Sequence, residues 1–332
     1  MFNQIIIMLN KNYLVYLLKY SKSKNIAVMK KNVLITGGSG FVGKHLSHLL
    51  IDNGYTISIL SRSKRADTAN IFYYTWDVKG QIIEEDAVLK ADYIIHLAGA
   101  NIAGKRWTKE RQETIVSSRQ QSAQLIFSVL EKHNKKLEAF ISASAIGIYG
   151  AVNGQAICTE NTRPANDFLG RVCQNWEAAA DKFEQFGIRT VKVRTGLVLG
   201  MNDGFLDKLT PIFKMRLGSA LGSGKQYMPW IYVDDLCSIY LEALKNPNMS
   251  GAYNAAINDD TTNSIFSKTL AKVYGYSIWL PNVPAFLLKL MMGEMAKLVL
   301  TGRRISSEKI ESTGFNFRHK NLEDTLKICL FK

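Results

Sequence analysis

Gly37, Gly40 and Gly43 stand in the stretch Thr36-Gly37-Gly38-Ser39-Gly40-Phe41-Val42-Gly43, spaced TGxxGxxG directly after the apolar run Val33-Leu34-Ile35. The first glycine lets the chain turn sharply, the second removes a side chain where backbone N–H groups approach an anion, and the third lets a following helix pack close. A pyrophosphate seated on a helix N-terminus is the chemistry this spacing serves, with Ser39, Phe41 and Val42 carried on the same loop. Three glycines also fit a plain Gly-rich turn, so the flanks decide. Val42, Leu46, Leu49 and Leu50 fall on one helical face, and Gly54 stands where a C-terminal cap belongs.

The second candidate is Ser61-Arg62-Ser63-Lys64-Arg65, at the end of the alternating run Thr56 to Leu60. An NAD site places an acid here for the ribose 2′-OH, whereas a 2′-phosphate needs cations and hydroxyl donors. Ser61 and Arg62 therefore point to NADP, against the ordinary alternative of a solvated basic turn. Asp77, after the run Ile71 to Tyr74, is an acceptor for an adenine or a turn residue. Leu97-Ala98-Gly99 ends the buried run from Tyr93 with small residues that let backbone lie against a cofactor, and His96 within it reads as a core residue. Ser144 and Tyr149 follow the run Ala139 to Ala143, where a hydroxyl and a phenol could meet a reacting group. Tyr149 serves equally as packing. Arg119 lies on a long helix, and the sequence leaves its role open.

These residues need a frame to bring them together. Strand-like runs from Val33, Thr56, Ile71, Tyr93, Ala139 and Thr190 alternate with helical patterns at Val42 to Leu50, Trp107 to His133 and Phe168 to Phe186. That alternation predicts an α/β fold with a doubly wound parallel sheet and ligands at the carboxyl ends of its strands. The expected division is an arm over 1–29, a nucleotide domain over 30–200 and a smaller substrate or lid region over 201–332 that returns partly to the sheet. Within the last part, shorter elements at Gly204 to Lys214, Gly222 to Trp230 and from Asp234 read as a lid. Pro284 to Leu300 reads as a packing helix because Lys289, Glu294 and Lys297 interrupt its apolar run, and Asn321 caps a final helix.

The chain has 332 residues and a net charge of +14, but Met1 to Lys31 carries six lysines and no acid. The remaining excess is scattered, which speaks against nucleic acid as a partner and for a small anionic molecule. Four cysteines form no CxxC pair, so no metal site is expected and the cytoplasm is the expected compartment. The apolar runs of the arm are too short to span a bilayer, and no membrane partner is expected. Met29 is the expected start of the protein proper, the arm reading as translation from an upstream codon.

His96-Leu97-Ala98-Gly99, Lys105-Arg106-Trp107, Ser118-Arg119, Trp176-Glu177, Arg194-Thr195-Gly196-Leu197-Val198-Leu199-Gly200 and Gly222-Ser223-Gly224-Lys225-Gln226 form a specific set, as do Val283-Pro284, Gly293-Glu294 and Gly314-Phe315. With them the chain after Met29 resembles the YfcH-like, epimerase-labelled branch of the atypical short-chain dehydrogenase/reductases, which ends in a domain of unknown function. The resemblance implies a Rossmann fold binding NADP, with Ser61-Arg62, Leu97-Ala98, Arg119 and Val198 around the cofactor. Active short-chain dehydrogenases use a serine with the Tyr and Lys of a YxxxK helix. The matching helix here, Phe168 to Cys173, has neither Tyr nor Lys, while Ser144 matches the serine, which makes Tyr149 the candidate proton exchanger. The expected activity is an NADP-dependent oxidoreductase or epimerase-like reaction on a small anionic or sugar-nucleotide substrate, with Arg194, Gln226 and Trp230 lining the pocket. The alternative is an NADP(H)-sensing protein, linked to cell division only by labels attached to the family.

Overall fold

Val33 and Ile35 face one apolar layer and Leu34 the other, the period-2 pattern of a strand buried on both sides. The computed structural model describes residues 30–201 and 205–331. The expectations for the arm, for Met29 and for Gly204 lie outside the described residues.

The chain opens with β1 (Asn32–Thr36), α1 (Phe41–Asp52), β2 (Thr56–Ser61), β3 (Ile71–Asp77), β4 (Ile82–Ile83), α2 (Asp86–Leu89) and β5 (Tyr93–His96). Next come α3 (Lys109–Lys132), β6 (Ala139–Ala145), a 3-10 turn at Ile146–Tyr149, β7 (Gly154–Cys158), α4 (Phe168–Gln185), β8 (Thr190–Thr195) and β9 (Leu197–Leu199). The last part holds α5 (Phe205–Lys214), β10 (Trp230–Tyr232), α6 (Val233–Lys245), β11 (Gly251–Ala255), α7 (Asn263–Val273), α8 (Ala285–Met292), a 3-10 turn at Gly293–Ala296, α9 (Lys297–Leu300), β12 (Arg303–Ile305), α10 (Glu308–Glu311) and α11 (Leu322–Phe331).

One eight-stranded sheet runs β11-β8-β6-β5-β1-β2-β3-β4, parallel throughout except for β4 against β3. The order reverses between β1 and β5, so loops leaving these two strands diverge and open a crevice at their carboxyl ends. This is the Rossmann architecture. Helix boundaries follow local chemistry: Thr108 caps α3 by accepting from the Arg111 N–H, and Asp167 caps α4 by accepting from the Gly170 N–H. Among the described residues, no helix is long and apolar enough to cross a membrane.

The part after residue 200 returns to the main sheet: β11 forms its edge, β9 pairs with β10, and residues from Asn32 onward cluster as one unit. One expectation changes. The packing helix over Pro284 to Leu300 is not one helix: Gly293, at φ +61°, breaks it into α8 and α9. Nor does α8 pack as a core helix, since Leu288 is its sole buried position among the described residues. The glycine permits a left-handed bend that no alternation of apolar and charged residues signals.

Candidate functional site

The turn after β1 places three glycines at the crevice. Gly37 adopts φ +71° and its amide neighbourhood is tight, for a Cβ there would lie 3.1 Å from the Ala98 nitrogen. Gly43 is under stricter demand: a Cβ would come within 2.5 Å of the Gly37 carbonyl oxygen and 2.6 Å of the Gly38 Cα. The Gly40 N–H donates to the Gly37 carbonyl at 3.0 Å, closing the turn. α1 then begins at Gly40 with no side-chain cap and no acid in its first turn, so its N-terminal amides and dipole face the crevice unanswered. A cradle that any side chain at Gly43 would fill fits a pyrophosphate.

Around this loop stand the other cofactor candidates. Ser61 ends β2 and is buried, while Arg62 beside it is exposed and has no ion-pair partner among the described residues. Asp77 accepts from the Lys79 N–H at 3.0 Å, which is the turn role, and its second oxygen points toward Gly80. The Ala98 N–H donates to Thr36 Oγ1 at 3.1 Å, fixing the Leu97-Ala98 segment against the glycine turn. Val198 in β9 lies opposite Ile231 of β10, and the next turn brings Gly200 under the Phe41 ring. His96 is fully buried in the core. Ser122 Oγ gives its proton to the Ser118 carbonyl, so His96 Nε2–H is the donor at 2.8 Å to Ser122. Burial, with the Arg119 charge adding to it, drops the His96 pKa to about 3, which keeps the ring neutral.

Arg119 is the unusual charge. It is 7% exposed, its ring-like guanidinium plane lies 4.5 Å from the Trp176 ring centre, and its Nη1 donates to the carbonyls of Ile115 at 2.8 Å and Ala100 at 3.2 Å. Nε has no partner, and no carboxylate pairs with the group among the described residues. A Cβ on Gly99 would sit 2.9 Å from its Cζ, which puts the cation against the end of β5. Burial lowers its pKa to about 10. Burying a cation without an acid is costly, and the arrangement suits an anion or hydroxyl arriving from outside the chain.

The residues expected to handle substrate are committed elsewhere. Arg194 is tied to Glu177 by two parallel bonds, Nε to Oε1 and Nη2 to Oε2, both 2.8 Å, and its Nη1 donates to the Glu160 carbonyl and the Tyr149 hydroxyl. Burial works against its charge, but the Glu177 carboxylate more than offsets this and raises its pKa. It is a structural ion pair and not a free anion clamp. Tyr149 is 1% exposed and donates to Asn254 Oδ1 at 2.6 Å. Burial, only partly countered by Arg194, pushes its pKa up to about 12, which keeps the phenol neutral and its proton on the Asn254 bond. Gln226 donates to the Leu221 and Val299 carbonyls and holds two loops together. Trp230 is wholly buried in the core, its Nε1 donating to Asp259. All three side chains expected to line a pocket are thus engaged within the protein.

Ser144 keeps its place at the end of β6 but donates to Glu177 Oε1 at 2.7 Å. The two residues of α4 that face the turn after it are Leu169 and Cys173, 3.6 and 3.5 Å from where a Cβ on Gly147 would lie. Their spacing of four is that of the Tyr and Lys in YxxxK. Burial, assisted by Glu177, pushes the Cys173 thiol up to about 12, so it stays protonated. Above this slot Trp107, Leu169 and Val172 are buried together, with Phe168, Met295 and Leu298 packed on them. Glu177, a family marker in the sequence with no role assigned to it, is the acid that joins Ser144 and Arg194. Its signal was present: it falls on the buried stripe Leu169, Val172, Cys173, Trp176, Ala180 of α4, where an acid demands a buried partner.

Comparison with known proteins agrees with this fold. The profile of the NAD dependent epimerase/dehydratase family matches residues 33–256, and a domain of unknown function, DUF1731, matches 283–328. The epimerase family protein YfhF of Bacillus subtilis (strain 168) is 34% identical over 296 residues, which is 89% of this chain and 96% of that one. The crystal structure of human epimerase family protein SDR39U1 (isoform2) with NADPH superposes with a TM-score of 0.80 at 27% identity, covering 90% of this chain and 98% of the other. UDP-glucose 4-epimerase of Thermotoga maritima with UDP-glucose shares the fold, with a TM-score of 0.71 at 20% identity over 90% and 97% of the two chains.

Proposed function

The chain belongs to the NAD dependent epimerase/dehydratase family, and from that premise we propose that it binds NADP(H) and uses it on a small anionic substrate without a Tyr–Lys catalytic pair. The observation that carries this reading is Arg119, a buried guanidinium with no acid beside it, at the end of the same strand that leads into Leu97-Ala98.

The chain's residues fit the cofactor. The backbone of Gly37, Ser39, Gly40, Phe41, Val42 and Gly43 would take the pyrophosphate, Ser61 and Arg62 the 2′-phosphate, and Asp77 the adenine side. Leu97, Ala98, Gly99 and Val198 would line the remainder. NADP(H), when bound, supplies or accepts a hydride. Arg119 then provides a fixed positive charge near the reacting end, where it stabilises an oxyanion or holds a carboxylate. Even with its pKa lowered to about 10 it remains a cation at neutral pH and does not exchange protons. Ser144 gives its own proton to Glu177, so its oxygen acts toward a ligand as an acceptor and orients a hydroxyl. With Leu169 and Cys173 in the Tyr–Lys slot, any proton must come from water or from the substrate, and turnover is slow.

That same slot supports a second reading, an NADP(H) sensor that passes its bound state to a partner. The four described cysteines are free and buried, which accords with a reducing compartment, the cytoplasm. Calorimetric titration tests the cofactor assignment: NADPH should bind more tightly than NADH, and Arg62→Ala should remove about 1–3 kcal/mol of that preference. Equal affinity for the two in the unaltered protein sinks it. The chemistry is tested with NADPH and a panel of carbonyl compounds and nucleotide sugars, following absorbance for net oxidation and chromatography for epimers. If nothing turns over and NADPH instead alters binding to another protein, the sensor reading stands.

A further inference from the structure

The cofactor crevice leaves α8 without a role. Phe286 is 72% exposed, Leu290 71%, Met291 69% and Leu287 38%, so one two-turn helix presents four large apolar side chains to solvent. Phe286 and Leu290, four apart, share the outermost line of the helix opposite buried Leu288. Scattered single apolar residues on a surface need no account, but a contiguous set of this kind marks a contact.

The charges around it say what kind. Lys289 lies on α8 itself, and Arg106 reaches the helix from the loop before α3, its Nη2 donating to the Leu290 carbonyl at 3.3 Å, with Lys105 next to it. None of the three has an ion-pair partner among the described residues. The one acid in the neighbouring turn, Glu294, is already paired with Lys297 at 2.5 Å. The face is thus apolar at its centre and unbalanced positive at its rim. A second copy of the chain fits poorly, since a two-fold contact would set these cations against themselves. A bilayer bearing anionic headgroups meets both features, taking the apolar side chains into the acyl boundary and the cations at the headgroup level.

We propose that α8 rests on an anionic membrane surface and holds the protein there peripherally. Such a helix lies in the interface and needs no span, and the inference is independent of what the crevice binds. The net charge of +14 adds long-range attraction to the same surface.

Co-sedimentation of the full chain with vesicles tests it, using phosphatidylcholine alone and phosphatidylcholine with about a third phosphatidylglycerol. Binding to the anionic vesicles should exceed binding to the neutral ones at least tenfold and weaken with added salt. The triple variant Phe286→Ser, Leu290→Ser, Met291→Ser should lose that binding at least tenfold while keeping the melting temperature of the unaltered protein. The double variant Lys105→Glu, Lys289→Glu should lose the preference for anionic vesicles. Equal binding to both vesicle types, or undiminished binding by the triple variant, overturns the proposal. So does a dimer of the unaltered protein that the triple variant dissolves, because the face then belongs to a second copy.

Discussion

The two ends of the crevice use their polar groups in opposite ways. From Gly37 to Arg62 the donors stand open: the first amides of α1 have no cap, and the Arg62 guanidinium has no acid among the described residues. Around Ser144 three polar side chains are answered from within, Ser144 and Arg194 by Glu177, Tyr149 by Asn254 and Arg194. The first arrangement awaits a ligand; the second holds strands β6, β8 and β11 to helix α4. A residue type that signals chemistry, an arginine or a tyrosine at a strand's carboxyl end, means one thing where its neighbours are glycines and another where they are acids and amides.

Breaking the closed end should have the largest effect. Glu177→Ala leaves Arg194 as an uncompensated buried charge, and thermal or urea unfolding should show a loss of about 3–5 kcal/mol. A loss below about 1 kcal/mol would dissolve the contrast drawn above. Acid probes the layer beneath the open end. His96 has a folded pKa of about 3 against an ordinary value of 6.5. The unfolded chain therefore takes up the proton first, so this contribution to stability is complete above pH 6.5 and declines as pH falls toward 3. At about 1.4 kcal/mol per pH unit the loss reaches about 3 kcal/mol near pH 4. Unfolding of the native protein and of His96→Asn at pH 7.5 and pH 4 isolates it, as the variant should lack this part of the acid sensitivity.

Smaller effects sharpen the comparison. Gly43→Ala forces a methyl group onto the Gly37 carbonyl and should cost about 1–3 kcal/mol, with NADPH affinity falling further than stability alone accounts for. Retained NADPH affinity would mean that the glycine turn is merely a turn. Tyr149→Phe should cost only about 1 kcal/mol, the worth of its hydrogen bonds, and leave NADPH affinity unchanged. A changed affinity would return Tyr149 to the cofactor end.

The open end was legible in the sequence because it is local. Gly37, Gly40 and Gly43 act through backbone, within seven residues, and the strand before and helix after them are written in adjacent apolar periods. Six of the eight strands of the sheet were legible for the same reason, each announcing itself by its own run, whereas the two-residue β4 and the edge strand β11 carry no such run. The closed end is assembled over distance: Tyr149 meets Asn254 across 105 residues and Arg194 across 45. Nothing near Arg194 in the chain shows that an acid awaits it, and nothing near Gln226 shows that its amide joins the Leu221 and Val299 carbonyls. The absence of Tyr and Lys from the helix Phe168 to Cys173 was visible, whereas Arg119 comes from another helix: the residues alone left its role open, the family resemblance set it beside the cofactor, and its contact with Trp176 shows only where α3 and α4 pack together.

β7 and β12 pair in parallel, Gly154–Cys158 with Arg303–Ile305, and Asn153 also reaches the Leu300 carbonyl, 147 residues along the chain. During synthesis at about 5–20 residues per second, the ribosome needs roughly 7–30 s to deliver β12 after β7 has emerged. Throughout that interval the segment following Ser144 is a strand without its neighbour, with Ile157 and its open edge available to whatever else is nearby. The nucleotide half of the protein can gather its own parallel strands early, but the wall beside its serine is finished only when the carboxyl-terminal part arrives.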